Sequence, residues 1–147
     1  MLAKTFFRYF PTKEDVVLSD GYDYLIVELI EQSPETLPPA QRIRSAFLEG
    51  LDQIYPASRD NLLAVNRLVI ATPALRDRLW ASQMVTQRLI LQALHEPEPD
   101  LPTSVAVAAC LAAATTAVLT WTENDGTSDL PRLLSGAFDA LHALECA

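Results

Sequence analysis

The apolar positions of this chain recur every three or four residues over most of its length, and no segment shows the two-residue alternation of a half-buried strand. Val16, Val17, Tyr24, Leu25, Val27, Leu29 and Ile30 predict a mostly apolar helix from about 12 to 32. Pro11 stops whatever precedes it. Thr12 is the N-cap, and Glu14 and Asp15 stand in the first turn, where the helix dipole favours acids. The stretch "SPETLPPA" at 33–40 breaks that helix, and Pro39 suits the first turn of the next. Ile43, Phe47, Leu51 and Ile54 mark its apolar face, and Tyr55-Pro56 is expected to end it. Ser58 or Asp60 caps a further helix carrying Leu62, Leu63, Val65, Leu68 and Val69. Thr72-Pro73 opens a long helix to about 94, with Leu75, Leu79, Trp80, Val85, Leu89 and Leu91.

After the connector "HEPEPDLP" comes an uncharged helix, expected over 103–122. The loop "ENDGTSD" follows, with Gly126 available for a positive φ. Leu130, Leu133, Leu134, Ala137, Phe138, Leu141 and Leu144 then form a continuous helical stripe. The pattern predicts an all-α fold of six helices after Pro11, with one short helix before it and no internal repeat.

Composition sharpens this picture. A chain of 147 residues, half hydrophobic and a fifth charged, can bury a real core. Scarce Gly with abundant Ala and Leu favours helix. The net charge of −8 excludes the chain as a whole from nucleic-acid binding, since phosphate contacts need a basic face; only a local patch could do that work. Cys110 and Cys146 make no disulfide framework, and Cys110, in an Ala-rich run, reads as a small core filler. Met1 to Lys4 gives way to aromatics and charge rather than to the apolar segment of a signal peptide, so a cytoplasmic protein is expected. Residues 101–122 carry no charge and are long enough to cross a bilayer. They are dominated by Ala and Thr, which insert weakly, so a buried interface helix is expected and no membrane partner.

The aromatics are concentrated at the start. "TFFRYFPTKEDVV" places Phe6, Phe7, Tyr9 and Phe10 around Arg8, just ahead of a helix start. This stretch resembles the end of the DNA-binding unit of TetR-family transcriptional regulators: a Thr, two apolar or aromatic residues, a basic or polar residue, an aromatic pair ending in Phe, then a turn and a Lys. Here those positions are Thr5, Phe6, Phe7, Arg8, Tyr9, Phe10, Pro11, Thr12 and Lys13. "RLVIATPALRDRL" and "WTENDGTSDLPRLLSGAFDALHAL" share the family's cadence. The resemblance implies a helix-turn-helix whose recognition helix and closing turn occupy this stretch. It also implies two earlier helices, so Met1 falls inside the recognition helix. Residues 1–32 are therefore expected to be a truncated remnant of that domain plus its connecting helix, and 33–147 a ligand-binding and dimerisation domain.

By the same resemblance, Thr5, Tyr9 and Lys13 match positions that contact DNA phosphates, and Lys4 and Arg8 add charge to the segment. Such contacts position a protein on a duplex without reading its sequence. The three Phe residues read as packing residues, and Phe7 lacks the hydroxyl that a Tyr often supplies there in the family. The resemblance further implies a homodimer through the last two helices, a DNA operator bound by an intact version of the protein, and a small-molecule effector. Phe47, Tyr55, Asn66, Trp80, Met84, Gln87 and Trp121 are the candidate effector-binding residues: bulky walls with a few polar groups, as small-molecule sites have. Each also suits ordinary core packing, and Asn66, Gln83 and Gln87 suit a solvated face.

An enzyme is not expected. The chain has no Gly-rich phosphate loop, no GxSxG and no HExxH. His95 beside Glu96 suits a helix end, and Asp139 with His142 is a surface pair, too few ligands for a metal. No cofactor is implied. The reading from a different class is a stand-alone ligand-binding or dimerisation protein without DNA-binding activity, acting through mixed dimers with an intact relative.

Overall fold

The computed structural model describes residues 22–96 and 98–146. Among them are six α-helices and no strand: α1 (Tyr22–Gln32), α2 (Pro39–Ala71), α3 (Pro73–Asp77), α4 (Leu79–Ala93), α5 (Leu101–Glu123) and α6 (Leu130–Glu145). The all-α expectation holds.

Helix α1 turns Ile26, Val27 and Ile30 into the core at i, i+1 and i+4. Its end is closed by a residue twelve positions away. Arg42, only 5 % exposed, donates from Nη2 to the Ile30 carbonyl at 2.9 Å and from Nε to Ser33 Oγ at 2.8 Å. The Ser33 hydroxyl itself donates to the Ile30 carbonyl at 2.6 Å. The last carbonyls of a helix lack intrahelical partners, and a cation there also meets the negative end of the dipole. One guanidinium thereby joins the first two helices.

Helix α2 corrects the expected break at Tyr55-Pro56: it runs unbroken through Pro56 to Ala71. Proline removes one helical hydrogen bond and strains the preceding turn. Pro56 is exposed, so water can reach the carbonyl left without its donor. The opposite face is held on both sides of it. Tyr55 packs edge-on against Trp121 with ring centroids 6.1 Å apart. Arg59 lies over the same indole at 5.9 Å and donates to the Gly126 carbonyl.

The single helix expected from Pro73 to about 94 is instead two. Thr72 is extended (φ −107°, ψ 106°), as a residue before proline prefers, and closes α2. Helix α3 buries no residue and ends at Arg78, whose N–H bonds the Leu75 carbonyl in a tight three-residue turn. At the far end of α4, His95 has φ 58°; its N–H bonds the Gln92 carbonyl and the Glu96 N–H reaches back to that of Leu91. That double bond pattern is a Schellman closure with histidine in the left-handed position.

Helix α5 starts two residues before the expected 103. The Asp100 carboxylate accepts from the Thr103 N–H at 2.8 Å as N-cap, and the Thr103 hydrogen bonds hold that carboxyl below its ordinary pKa. A second Schellman closure joins α5 to α6, with Asp125 at φ 55° and Gly126 at φ 69°; the Gly126 N–H bonds the Trp121 carbonyl at 2.9 Å. Asp129 then caps α6, accepting from the Arg132 N–H at 3.3 Å. Trp121 is wholly buried at the centre of this corner, its Nε1 donating to the Ser128 carbonyl. Phe47 links Tyr22 (5.9 Å) to Phe138 (6.1 Å) through the core.

Helix α5 is long and apolar enough to cross a membrane. In the fold it packs on α2, α4 and α6, burying Val107, Cys110, Leu111, Ala114, Ala117 and Trp121. Its other side is uncovered: Leu101, Val105, Ala108, Ala112 and Thr116 are exposed in a stripe. On α6, Gly136, Ala140 and Leu144 are exposed likewise.

Candidate functional site

A cavity of about 160 Å³ lies inside the bundle, walled by α1, α2, α4, α5 and α6. Apolar side chains make most of the wall. Phe47, Leu51, Ile54 and Leu62 come from α2, Leu111, Ala114 and Val118 from α5, and Leu130 and Leu134 from α6. The helical spacing that makes a core face on α2 and α5 also supplies this lining. It stays hollow because α5 offers Ala114 and Thr115 where larger side chains would fill the space.

Polar groups gather on the α1–α4 side. Thr86, 7 % exposed, lies within 2.8 Å of Asp23 Oδ2 and 3.2 Å of the Ser82 carbonyl, so its one hydroxyl proton is taken up by protein acceptors. Gln83 Nε2 donates to Thr115 Oγ1 at 3.1 Å, tying α4 to α5. Asn66 Nδ2 donates to the Leu62 carbonyl at 2.8 Å. The Tyr22 hydroxyl donates to the Phe47 carbonyl at 2.6 Å, tying α1 to α2. The cavity is therefore cross-braced by hydrogen bonds that run between helices. Asp23 is the one charged side chain in the lining among the described residues.

Of the seven candidate effector residues, the structure brings two to the cavity, Phe47 and Asn66. The other five are placed elsewhere. Trp80 is 72 % exposed and Met84 40 % exposed, both on the outer side of α4. Gln87 is half-buried outside the lining. Tyr55 and Trp121 are spent on the packed corner between α2, α5 and α6. Tyr22, Asp23, Ser82, Gln83 and Thr86 line the cavity without having been selected. One signal for them was present: Ser82, Gln83 and Thr86 form a polar stripe at i, i+1 and i+4 within an otherwise apolar part of α4. The DNA-contact candidates Lys4, Thr5, Arg8, Tyr9 and Lys13 lie outside the described residues.

The remaining polar clusters are structural. Asp139 pairs with Arg44 at 2.7 Å, and His142 meets Glu145 at 3.3 Å, all on the surface. Both cysteines are free; Cys110 is buried and Cys146 exposed. No group of three or more His, Cys, Asp or Glu able to hold a metal occurs among the described residues.

Comparison with curated proteins and with solved structures gives no match. Residues 37–144, well over half of the chain, match the family described as the MftR C-terminal domain. Domains of this kind are regulatory rather than catalytic. The match spans α2 to α6 almost completely, the part of the molecule that walls most of the cavity. By that match the chain belongs to the TetR family of regulators, in its MftR C-terminal domain branch.

Proposed function

We propose that the chain is a small-molecule-responsive transcriptional regulator of the TetR type, with residues 33–147 serving as effector-binding and dimerisation domain. One observation carries this reading: a single cavity touches both α1, which leads back toward residues 1–21, and α5 and α6, whose outer faces are uncovered. A ligand there contacts both parts. If it binds one arrangement of α1 against α5–α6 more tightly than another, it shifts the balance by its differential affinity and by no more. The supposed reading head includes Lys4, Thr5, Arg8, Tyr9 and Lys13 as phosphate contacts, a local basic patch on an acidic protein. Work on operator DNA places such a regulator in the cytoplasm.

The uncovered stripes on α5 and α6 support a homodimer. Small residues (Ala108, Ala112 and Thr116 on α5, Gly136 and Ala140 on α6) let helices approach closely beside the larger Leu101, Val105 and Leu144, and the Thr116 hydroxyl is already spent on the Ala112 carbonyl at 2.8 Å. Two such helices from each of two copies make a twofold four-helix interface.

A thermal-shift screen of small molecules on the wild-type chain and on Ala114→Phe tests the effector site. Ligand at about a hundred times its Kd stabilises the native state by about 2.7 kcal/mol, several degrees in Tm. Wild type is expected to respond, and Ala114→Phe, with the hollow filled, is not. A shift that survives in Ala114→Phe rules the cavity out as the site.

A further inference from the structure

The lining of the cavity also limits what it takes, an inference that rests on the cavity being the effector site. Its apolar depth sets the first limit. Phe47, Leu51, Leu111 and Leu134 are all buried there. An apolar cavity of about 150 Å³ admits a single benzene ring, so 160 Å³ takes about one ring with a short substituent.

Its rim sets the second. Asn66, Ser82, Gln83 and Thr115 are the half-buried polar residues that α2, α4 and α5 bring to the lining, and all four are uncharged. The Asn66 amide nitrogen faces the Leu62 carbonyl, which only accepts, so the amide oxygen is left over. The Gln83–Thr115 bond uses one donor and one acceptor; whichever way it runs, the pair keeps a donor and an acceptor. The Ser82 hydroxyl acts either way. Asp23, the charged lining residue, comes from α1 and is already engaged within the protein, by Thr86 among others. An ionised ligand group at the rim would exchange its hydration for uncharged partners, a cost that a neutral group largely avoids.

We infer that the cavity takes a compact one-ring molecule whose polar group is uncharged and both donates and accepts hydrogen bonds, a primary carboxamide or a hydroxyl, in preference to carboxylates and ammonium ions of the same shape. The ring lies against Phe47 and Leu111, and the polar group meets Asn66 and the Gln83–Thr115 pair.

Four probes test this on the full chain by ligand-observed NMR at pH 7.5: benzene, benzamide, benzoate and benzylamine. Benzene reports the hollow alone and is expected to bind. Benzamide is expected to bind at least about tenfold more tightly than benzoate or benzylamine. Thr115→Val keeps the side-chain shape and removes the hydroxyl. It is expected to weaken benzamide about fivefold, the worth of one neutral hydrogen bond, and to leave benzene unchanged. The ranking on the wild-type chain decides the ligand class even if that variant folds poorly. Benzene bound with benzamide excluded, or either ion bound as tightly as benzamide, overturns the neutral class while leaving the cavity as a binding site. Failure of all four, benzene included, overturns both. An undiminished benzamide affinity in well-folded Thr115→Val, or an equal loss for benzene, removes Thr115 from the account.

Discussion

At Gly126 two independent constraints meet on one residue. Its φ of 69° lies where a side chain is strained, and a Cβ there would stand 2.9 Å from Leu63 Cδ2 and 3.0 Å from Arg59 Nη2. The Arg59 tip can swing away, but Leu63 is buried in the core. Left-handed backbone costs roughly 1–2 kcal/mol for a residue with a side chain. Gly126→Ala is therefore expected to lose about 2–3 kcal/mol once the Leu63 clash is added, read by chemical denaturation; a variant as stable as wild type contradicts the corner geometry. The two cysteines make a second contrast of position. Burial, with a smaller contribution from the Glu145 charge, pushes the Cys110 thiol up to about 11, whereas Cys146 is exposed. One fast thiol, Cys146, is expected with Ellman's reagent at pH 8, and a second only on unfolding. Because the folded-state pKa is raised, the native chain holds that proton where the unfolded chain releases it. The Cys110 contribution to stability is complete below about pH 9 and lost as pH rises toward 11. A Cys110→Ala chain should show the shallower alkaline decline, and an equal slope in both proteins refutes the assignment.

At the scale of helices, Pro56 is the instructive residue. A helix-interior proline is disfavoured by about 3 kcal/mol, yet α2 passes through it, because Tyr55 and Arg59 on the covered side are anchored to the Trp121 corner. Pro56→Ala restores the lost hydrogen bond while loosening the unfolded chain by somewhat less than 1 kcal/mol. A net gain of about 1–2 kcal/mol is expected in a thermal melt. A neutral or destabilising result means that the proline has a positive part in the shape of α2. The same residue marks the limit of reading helices locally. Pro39 and the Leu130–Leu134–Phe138 stripe announce their helices because first-turn residues and spacing are local facts. Whether proline breaks a helix depends on which side faces water, and that is settled by contacts with the distant Trp121 and Gly126. The break at Arg78 has no marker at all in "LRDRLW", and α3 buries no residue that would show in an apolar stripe. Cavity residues were legible only in part for a similar reason. Size drew attention to Trp80 and Trp121, but one is mostly exposed and the other fills its own space. Thr86 and Asp23, too small and too ordinary to stand out, meet only because α1 packs on α4.

For the whole molecule, the decisive question is what covers α5. Fewer than a third of the residues in its most apolar stretch are buried within the chain, although the helix carries no charge before Glu123. A helix apolar on all sides needs cover on all sides. On α6 the Gly136–Ala140–Leu144 stripe is uncovered as well, and at Gly136 a Cβ would meet nothing within 4 Å inside the chain, so the space above it is open. A second copy is the economical cover, because a twofold operation lays α5 and α6 of one chain against the same helices of the other. Ala112→Glu tests this directly. In the dimer it places two carboxylates near the twofold seam, where an unpaired buried charge costs several kcal/mol. In an isolated chain Ala112 is exposed, and the same substitution is close to neutral. Sedimentation velocity is expected to give a dimer for wild type and a monomer for Ala112→Glu, with unchanged helical circular dichroism in both. A monomeric wild type, or a mutant that remains dimeric, removes α5 from the interface and with it the route by which a ligand beside Thr115 and Leu111 would act on the pairing of two chains.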